Sequence, residues 1–243
     1  MKTIVISVLA LILIAGCIGD DKVDQIRFDD TTIRWLGHAS FEILDSRTTI
    51  YVDPYVLPET PEKADFILVT HDHFDHCDPE KISSLQTNDT SIITTHACIK
   101  KGLTGRTNTL VPGELFDYEE NSLKVEAVPA YNIGKEYHPK DSGIGFVVTF
   151  NGRKFYFAGD TDYIPEMDGL TGIYMAFLPI GGKYTMNVEE AAEAAKAIKP
   201  EIVVPMHYNS DKYGITGINA DASKLKKLLE GTGIQVAVMN PSA

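Results

Sequence analysis

Thr70-His71-Asp72-His73-Phe74-Asp75-His76-Cys77-Asp78-Pro79 is the stretch from which the rest of this chain can be read. Three of the seven histidines of the sequence, His71, His73 and His76, fall here, interleaved with Asp72 and Asp75. Just upstream, Phe66-Ile67-Leu68-Val69-Thr70 is a continuous apolar run with β-branched residues, the pattern of a buried strand. If the chain stays extended past Thr70, His71 and His73 project to the same side, because strand side chains repeat every two residues. Two imidazoles on one side can chelate one cation. Pro79 suits a first helical position, so a helix is predicted over 79–85. The turn between strand and helix then presents Asp75 and His76 to a second cation. Neutral imidazole and carboxylate are ligands for zinc, with manganese and iron as alternatives.

The pattern His-X-His-X-Asp-His after a strand resembles the signature of the metallo-β-lactamase fold superfamily. The resemblance implies an α/β chain folded as a four-layered αβ/βα sandwich. It also implies further ligands at strand ends downstream: a third His, a bridging Asp and a last His. The candidates are His138, Asp160 and His207. His138 sits in Tyr137-His138-Pro139 before Gly143-Ile144-Gly145, as in small lactonase-like relatives. His96, delivered by the predicted strand Ser91–Thr95, competes for the same role but opens what reads as a helix. Lys154–Ala158 reads as a strand ending in Gly159-Asp160-Thr161, where the glycine lets the backbone come close. Glu201–Met206 carries His207 at its tip. Trp35-Leu36-Gly37-His38-Ala39-Ser40 resembles the opening of the branch similar to ascorbate-6-phosphate lactonase and N-acylphosphatidylethanolamine phospholipase D. Gly181–Met186 and Pro205-Met206-His207-Tyr208 resemble the same branch, which makes His38, Lys183 and Tyr208 candidates for substrate contact. Asp53-Pro54 matches a structural Asp position of the fold and receives no chemical role.

The chain begins with Met1-Lys2-Thr3 and an almost uninterrupted apolar run, Ile4 to Ala15. That run is short for a membrane span, which needs about 20 residues, and has the length of a signal-peptide core. Ile14-Ala15-Gly16-Cys17 resembles a lipobox, in which Cys17 is lipid-modified and becomes the new N-terminus. Residues 1–16 are therefore expected to be a signal peptide, 17–30 an acidic tether and 31–243 the folded domain. The expected location is extracytoplasmic, anchored to a membrane through Cys17. The alternative is a secreted chain or one held by an uncleaved segment. A net charge of −12 leaves no electrostatic footprint for nucleic acid. Of the three cysteines, Cys77 and Cys98 remain as either a disulfide or two buried thiols.

Elsewhere, strands are expected at 32–37, 40–44, 48–52, 123–129, 145–150, 173–180 and 234–239, and helices at 188–198 and 220–229. The halves, about 31–130 and 131–243, each read as strands followed by helices, as a duplicated sandwich requires. Read together, the ligands imply a dinuclear site. His71, His73 and His138 would hold one ion, Asp75, His76 and His207 the other, and Asp160 would lie between, with Asp75 also orienting or deprotonating the nucleophile. Two adjacent divalent ions, zinc first, imply hydrolysis of an ester, lactone or phosphodiester in a small-molecule or lipid-like substrate. A lipoprotein of the same fold that binds metal or ligand without turnover is the contrasting expectation. An iron-dependent redox enzyme with an incomplete second site is the third.

Overall fold

The computed structural model describes residues 13–15 and 22–243. Cys17 and most of the N-terminal apolar run lie outside them. Phe66–Leu68 is the strand expected, and its neighbours explain its unbroken hydrophobicity. It pairs in parallel with Thr49–Val52 on one side and Ser91–Thr94 on the other. Phe66 and Leu68 join the large core that also holds Phe157 and Phe177 of the opposite sheet. Ile67 and Val69 join a second core with Ile82 and Leu85 of helix α1 (Pro79–Leu85) and Cys98 of helix α2 (His96–Ile99). A strand covered on both faces has no polar face to show.

Two sheets carry the fold. The first has eight strands, with antiparallel neighbours from Leu13–Ala15 through Gln25–Phe28, Thr31–Gly37, Ser40–Leu44 and Thr49–Val52. Parallel pairing then runs through Phe66–Leu68, Ser91–Thr94 and Arg106–Thr109. The second has seven strands in the same sequence of pairings: antiparallel over Leu115–Tyr118, Leu123–Ala130, Gly143–Phe150 and Arg153–Phe157, then parallel over Met175–Pro179, Ile202–Met206 and Gln235–Val236. Phe41 of the first sheet meets Phe177 of the second at 4.7 Å between ring centroids, and Phe157 stacks on Phe177 at 4.2 Å. Helix α3 (Val188–Ile198) starts at an Asn187 capping box closed by Glu190 and buries an alanine-rich face on the second sheet beside helix α4 (Ala222–Leu228). The result is an α/β sandwich of mixed sheets with helices outside.

Three expectations need correction. The stretch expected to be a tether is, from Lys22 onward, part of the fold: Lys22–Val23 pairs with Val238–Met239, and Gln25–Phe28 is a sheet strand. Ile26 and Phe28 are buried, and their alternation with Gln25 and Arg27 is a period-2 pattern that the surrounding aspartates obscure. The boundary between halves lies between Thr109 and Leu115 rather than near 130, because Leu115–Tyr118 and Leu123–Ala130 form a hairpin of the second sheet. The single strand expected over 234–239 is two short pieces, Gln235–Val236 and Val238–Met239, in different sheets. Leu13–Ala15, inside the stretch that reads as a signal-peptide core, pairs with Gln25–Phe28 at the sheet edge.

At one end of the sandwich the two sheets are stitched together. Ile144 N donates to Thr70 O at 3.0 Å, and His207 N donates to His38 O at 2.9 Å. Gly159, with φ +66°, stands where a Cβ would lie 3.0 Å from Ile144 O and 3.2 Å from Thr70 Cβ. The strand tip carrying Asp160 therefore approaches the first sheet only as glycine. Gly159→Ala should cost about 1–3 kcal/mol by combining a strained backbone with this close approach. The check is a lower urea midpoint at unchanged m-value; a midpoint equal to wild type would show that the approach is looser than this.

Candidate metal centre

Most of the strand ends that the stitching draws together deliver a titratable side chain. His71, His73, Asp75 and His76 follow Phe66–Leu68, and Asp53 follows Thr49–Val52. Asp160 follows Arg153–Phe157, His207 follows Ile202–Met206, and His38 occupies the turn between Thr31–Gly37 and Ser40–Leu44. His138 comes from the loop before Gly143–Phe150. His38, Asp53, His138 and His207 all have φ between +44° and +56°, a left-handed backbone that few non-glycine residues adopt.

His71, His73 and His138 converge. His73 Nδ1 lies 3.1 Å from His71 Nε2 and 3.0 Å from His138 Nε2. Nitrogens sharing a tetrahedral zinc at ~2.0–2.1 Å stand roughly 3.3–3.4 Å apart, so this spacing suits one cation between the three. A second group gathers Asp75, His76, His207 and His38. Asp160 stands between the groups. Its Oδ1 is 3.4 Å from His76 Nε2, and its Oδ2 is 3.0 Å from His207 Nε2 and 3.3 Å from His138 Nε2. His76 Nε2, His207 Nε2 and Asp160 Oδ1 are buried without a hydrogen bond. Buried polar atoms are normally paired, and a cation is the partner these three would accept. The residues present fit a metal site.

Hydrogen bonds behind the centre set which nitrogen faces inward. Asp53 accepts from Thr70 N, from Thr70 Oγ1 and from His76 Nδ1, each at 2.8 Å. Because Thr70 Oγ1 spends its proton on Asp53, it accepts from His71 Nδ1 at 3.0 Å, leaving Nε2 bare. His138 Nδ1 donates to Tyr184 O at 3.0 Å, and Asn132 Nδ2 braces that carbonyl at 2.6 Å. A carboxylate only accepts, so the proton of neutral His38 sits on Nε2, 3.1 Å from Asp75 Oδ2, and Nδ1 faces Ser210 Oγ at 3.0 Å.

The charges follow from these contacts. Burial pushes His71 and His138 below the usual imidazole range, and burial together with the nearby His207 lowers His38 to about 4. Burial opposes charge on Asp75 and Asp160, but imidazoles outweigh it: the His38 hydrogen bond and His76 hold Asp75 low, and His207 and His76 hold Asp160 low. His76 is the exception. Burial works against its proton, yet Asp160 and Asp53 together raise it well above the usual range. In the metal-free protein that proton compensates two carboxylates, and a cation would displace it.

The structure brings together His71, His73, Asp75, His76, His138, Asp160 and His207, and leaves His96 out. His96 is exposed at the start of α2, in a separate groove with Lys100, Lys101 and Asp141. The three expected substrate contacts do not line the cavity at the centre. His38 is fully buried behind Asp75, because the turn that carries it is covered by the strand end at His207. Tyr208 points into the core and stacks on Trp35 at 5.5 Å, since the left-handed His207 reverses the next side chain. Lys183 is exposed and lies over the Tyr184 ring at 4.6 Å; Tyr184 is the neighbour that reaches the cavity. Asp53, Thr70 and Asn132 had no assigned role in the sequence, although Asp-Pro at a strand end was a usable signal. Cys77 and Cys98 form a disulfide with Cα atoms 6.1 Å apart, tying the histidine loop to α2.

Two mixed sheets with a His/Asp cluster at one end of their strands define a metallo-β-lactamase fold. A β-lactamase superfamily domain model matches residues 32–207. A UPF0173 metal-dependent hydrolase of Thermoplasma acidophilum is 36% identical over 223 residues, covering 86% of this chain and 96% of that protein. A solved structure from Parabacteroides distasonis is 38% identical with a TM-score of 0.75, covering 88% of this chain and 93% of the other. Igni18, a metallo hydrolase of Ignicoccus hospitalis, is 26% identical with a TM-score of 0.72, covering 88% of this chain and 96% of that one. The diiron β-hydroxylase CmlA of Streptomyces venezuelae shares the fold at 16% identity and a TM-score of 0.68, covering 86% of this chain and 53% of its own. The chain belongs to the UPF0173 metal-dependent hydrolase family, and it is a metal-dependent hydrolase.

His38 generates a pH test. Its pKa is depressed in the fold, so between about 6.5 and about 4 the unfolded chain takes up a proton there that the folded chain refuses. That difference removes stability as pH falls through this window. Metal-free wild type should therefore lose more stability between pH 7 and 4.5 than metal-free His38→Gln, measured as urea midpoints. Parallel slopes for the two proteins would contradict the assignment.

Proposed function

We propose that the protein hydrolyses an ester, lactone or phosphodiester at a dinuclear centre, with His71, His73 and His138 holding one divalent ion, Asp75, His76 and His207 the other, and Asp160 between them. The observation that carries this reading is the placement of Asp160 between two groups of converging nitrogens, of which His76 Nε2 and His207 Nε2 have no hydrogen bond. Zinc is the first choice on ligand chemistry, with manganese and iron next. Bound there, two divalent cations supply a water acidified toward neutral pH and polarisation of the bond it attacks. The side chains supply the rest. Asp75, charged and open to the cavity beside His73, orients the attacking water and takes its proton. His38 keeps the Asp75 carboxylate aimed. Asp53 and Thr70 fix the inward nitrogens of His76 and His71, and Tyr184 O fixes that of His138. The Trp35–Ser40 motif supports kinship with the lactonase-like branch.

CmlA couples this fold to diiron redox chemistry in that protein, so metal identity and number must both be measured. Two zinc or manganese ions per chain, with turnover on ester or phosphodiester substrates, is the expected result. His138→Ala should lose metal and activity together, while His96→Ala keeps both. Asp75→Asn should stay folded, lower occupancy of one site and reduce kcat by about 10²–10⁴-fold, as for loss of a catalytic acid/base group. Full rate and full metal content in Asp75→Asn would rule the mechanism out.

We also infer that Cys17 carries lipid and holds the protein outside the cytoplasm. The lipobox-like Ile14–Cys17 supports this, as does the Cys77–Cys98 disulfide, a bond that persists in oxidising compartments. Among the described residues no helix is long and apolar enough to cross a membrane. Wild type expressed in its host should enter the detergent phase, and Cys17→Ser should not. An intact Met1 without lipid, seen by mass spectrometry, would end this reading.

A further inference from the structure

The cavity that exposes His73 measures about 360 Å³, within the range of small-molecule sites. His73, Asp75, His138 and Asp160 form its floor. Its walls are mostly apolar or aromatic: Phe74, Tyr137, Tyr184 and Ile215, with Gly214 and Thr216 beside them. Phe74 is 61% exposed and Tyr137 45% exposed, large side chains left in water around a polar floor. Both are braced rather than loose. Phe74 rests edge-on against Tyr55 at 5.8 Å, and Tyr137 edge-on against Tyr184 at 4.8 Å.

Among the described residues neither Lys nor Arg lines this cavity. Lys135 is committed to Asp162 and to Thr185 O, and Lys183 lies over the Tyr184 ring. Beyond the cations themselves, sites built for phosphate or carboxylate groups add Arg or Lys to hold the remaining charge, and a chain of net charge −12 opposes anions at long range. Resting on the hydrolase reading above, we propose that the substrate is an uncharged ester or lactone with an aryl or short alkyl arm. The arm binds between Phe74 and the Tyr137–Tyr184 pair, and the carbonyl lies over His73 and Asp75. Water adds to the carbonyl carbon, the ester C–O bond breaks, and the released alkoxide leaves with a proton, giving an acid and an alcohol. Phosphodiesters, whose charge this wall does not grip, are disfavoured.

Two hydroxamic acids with the same metal-binding head separate the floor from the walls. Isothermal titration of the zinc-loaded full chain with 4-phenylbutanohydroxamic acid and with succinic acid monohydroxamate compares an apolar tail with an anionic one. The phenyl tail should bind about tenfold tighter, the effect of burying one small apolar group. Phe74→Ala and Tyr137→Ala, confirmed by metal analysis to be loaded, should each remove most of that preference. Equal or tighter binding of the anionic tail, or a preference that survives both substitutions, would overturn the inference while leaving the metal centre intact. Binding of neither compound, with no metal retained, would overturn the hydrolase reading and this inference with it.

Discussion

Asp160 is the interaction on which the rest depends. Its carboxylate comes from the second sheet and faces His76 of the first sheet, His138 of a loop and His207, at the end of a parallel strand two places along its own sheet, at 3.0–3.4 Å. Packing this many imidazoles at one end of a sandwich has a cost, because each loses water and any two that carry protons repel. The fold meets that cost in two ways. Burial pushes His38, His71 and His138 toward the neutral form, and His76, which is driven to carry charge, lies between two carboxylates. A centre built this way is incomplete as protein alone: several inward atoms have no hydrogen bond, and positive charge is what their arrangement accepts.

Aim is bought with backbone strain. His38, Asp53, His138 and His207 are all left-handed, a conformation that costs non-glycine residues roughly 1–2 kcal/mol each. It lets a strand end turn its last side chain inward while the chain itself turns away, and the hydrogen bonds behind the centre hold the result. Asp53 shows the economy of the arrangement. One carboxylate receives Thr70 N, Thr70 Oγ1 and His76 Nδ1, and so sets the orientation of His76 directly and of His71 through Thr70. Strain of this kind persists only where the surroundings over-determine it, and here the cross-sheet bonds from Ile144 N to Thr70 O and from His207 N to His38 O provide that.

The sandwich and the inward-facing histidines were legible in the sequence because their signals are local. A strand covered on both faces is apolar throughout, so Phe66–Thr70 declared itself, and the spacing of His71 and His73 follows from strand geometry. Gly159 beside Asp160 was legible for the same reason, since close approach leaves a glycine. The Gln25–Phe28 strand was not, because flanking aspartates mask four alternating residues. The placement of Tyr208 and Lys183 is not legible in the sequence, because direction reverses after a left-handed residue or follows a loop, and no periodicity records it. The role of His38 depends on Asp75 and Ser210, 37 and 172 residues away, a contact that exists only once the sheets have closed.

Among the described residues the centre is open at His73 and Asp75 and buried elsewhere, and that asymmetry bears on what could reach it. His71, His76, His207 and Asp160 are held in the sandwich, whereas His73 is exposed and Asp75 is partly open beside it. Among the described residues the candidate centre opens along the face that His73 and Asp75 share, past Phe74, Tyr137 and Tyr184. Those rings are poor hydrogen-bonding surfaces except at the tyrosine hydroxyls, so they offer shape and apolar area rather than charge. In the proposed reading, an apolar arm covering them would displace water, lower the local dielectric and strengthen the charge interactions of Asp75 with the bond above it. Binding of the arm and activation at the floor would then be coupled through one cavity, and Phe74, on the histidine loop itself, would carry part of that coupling.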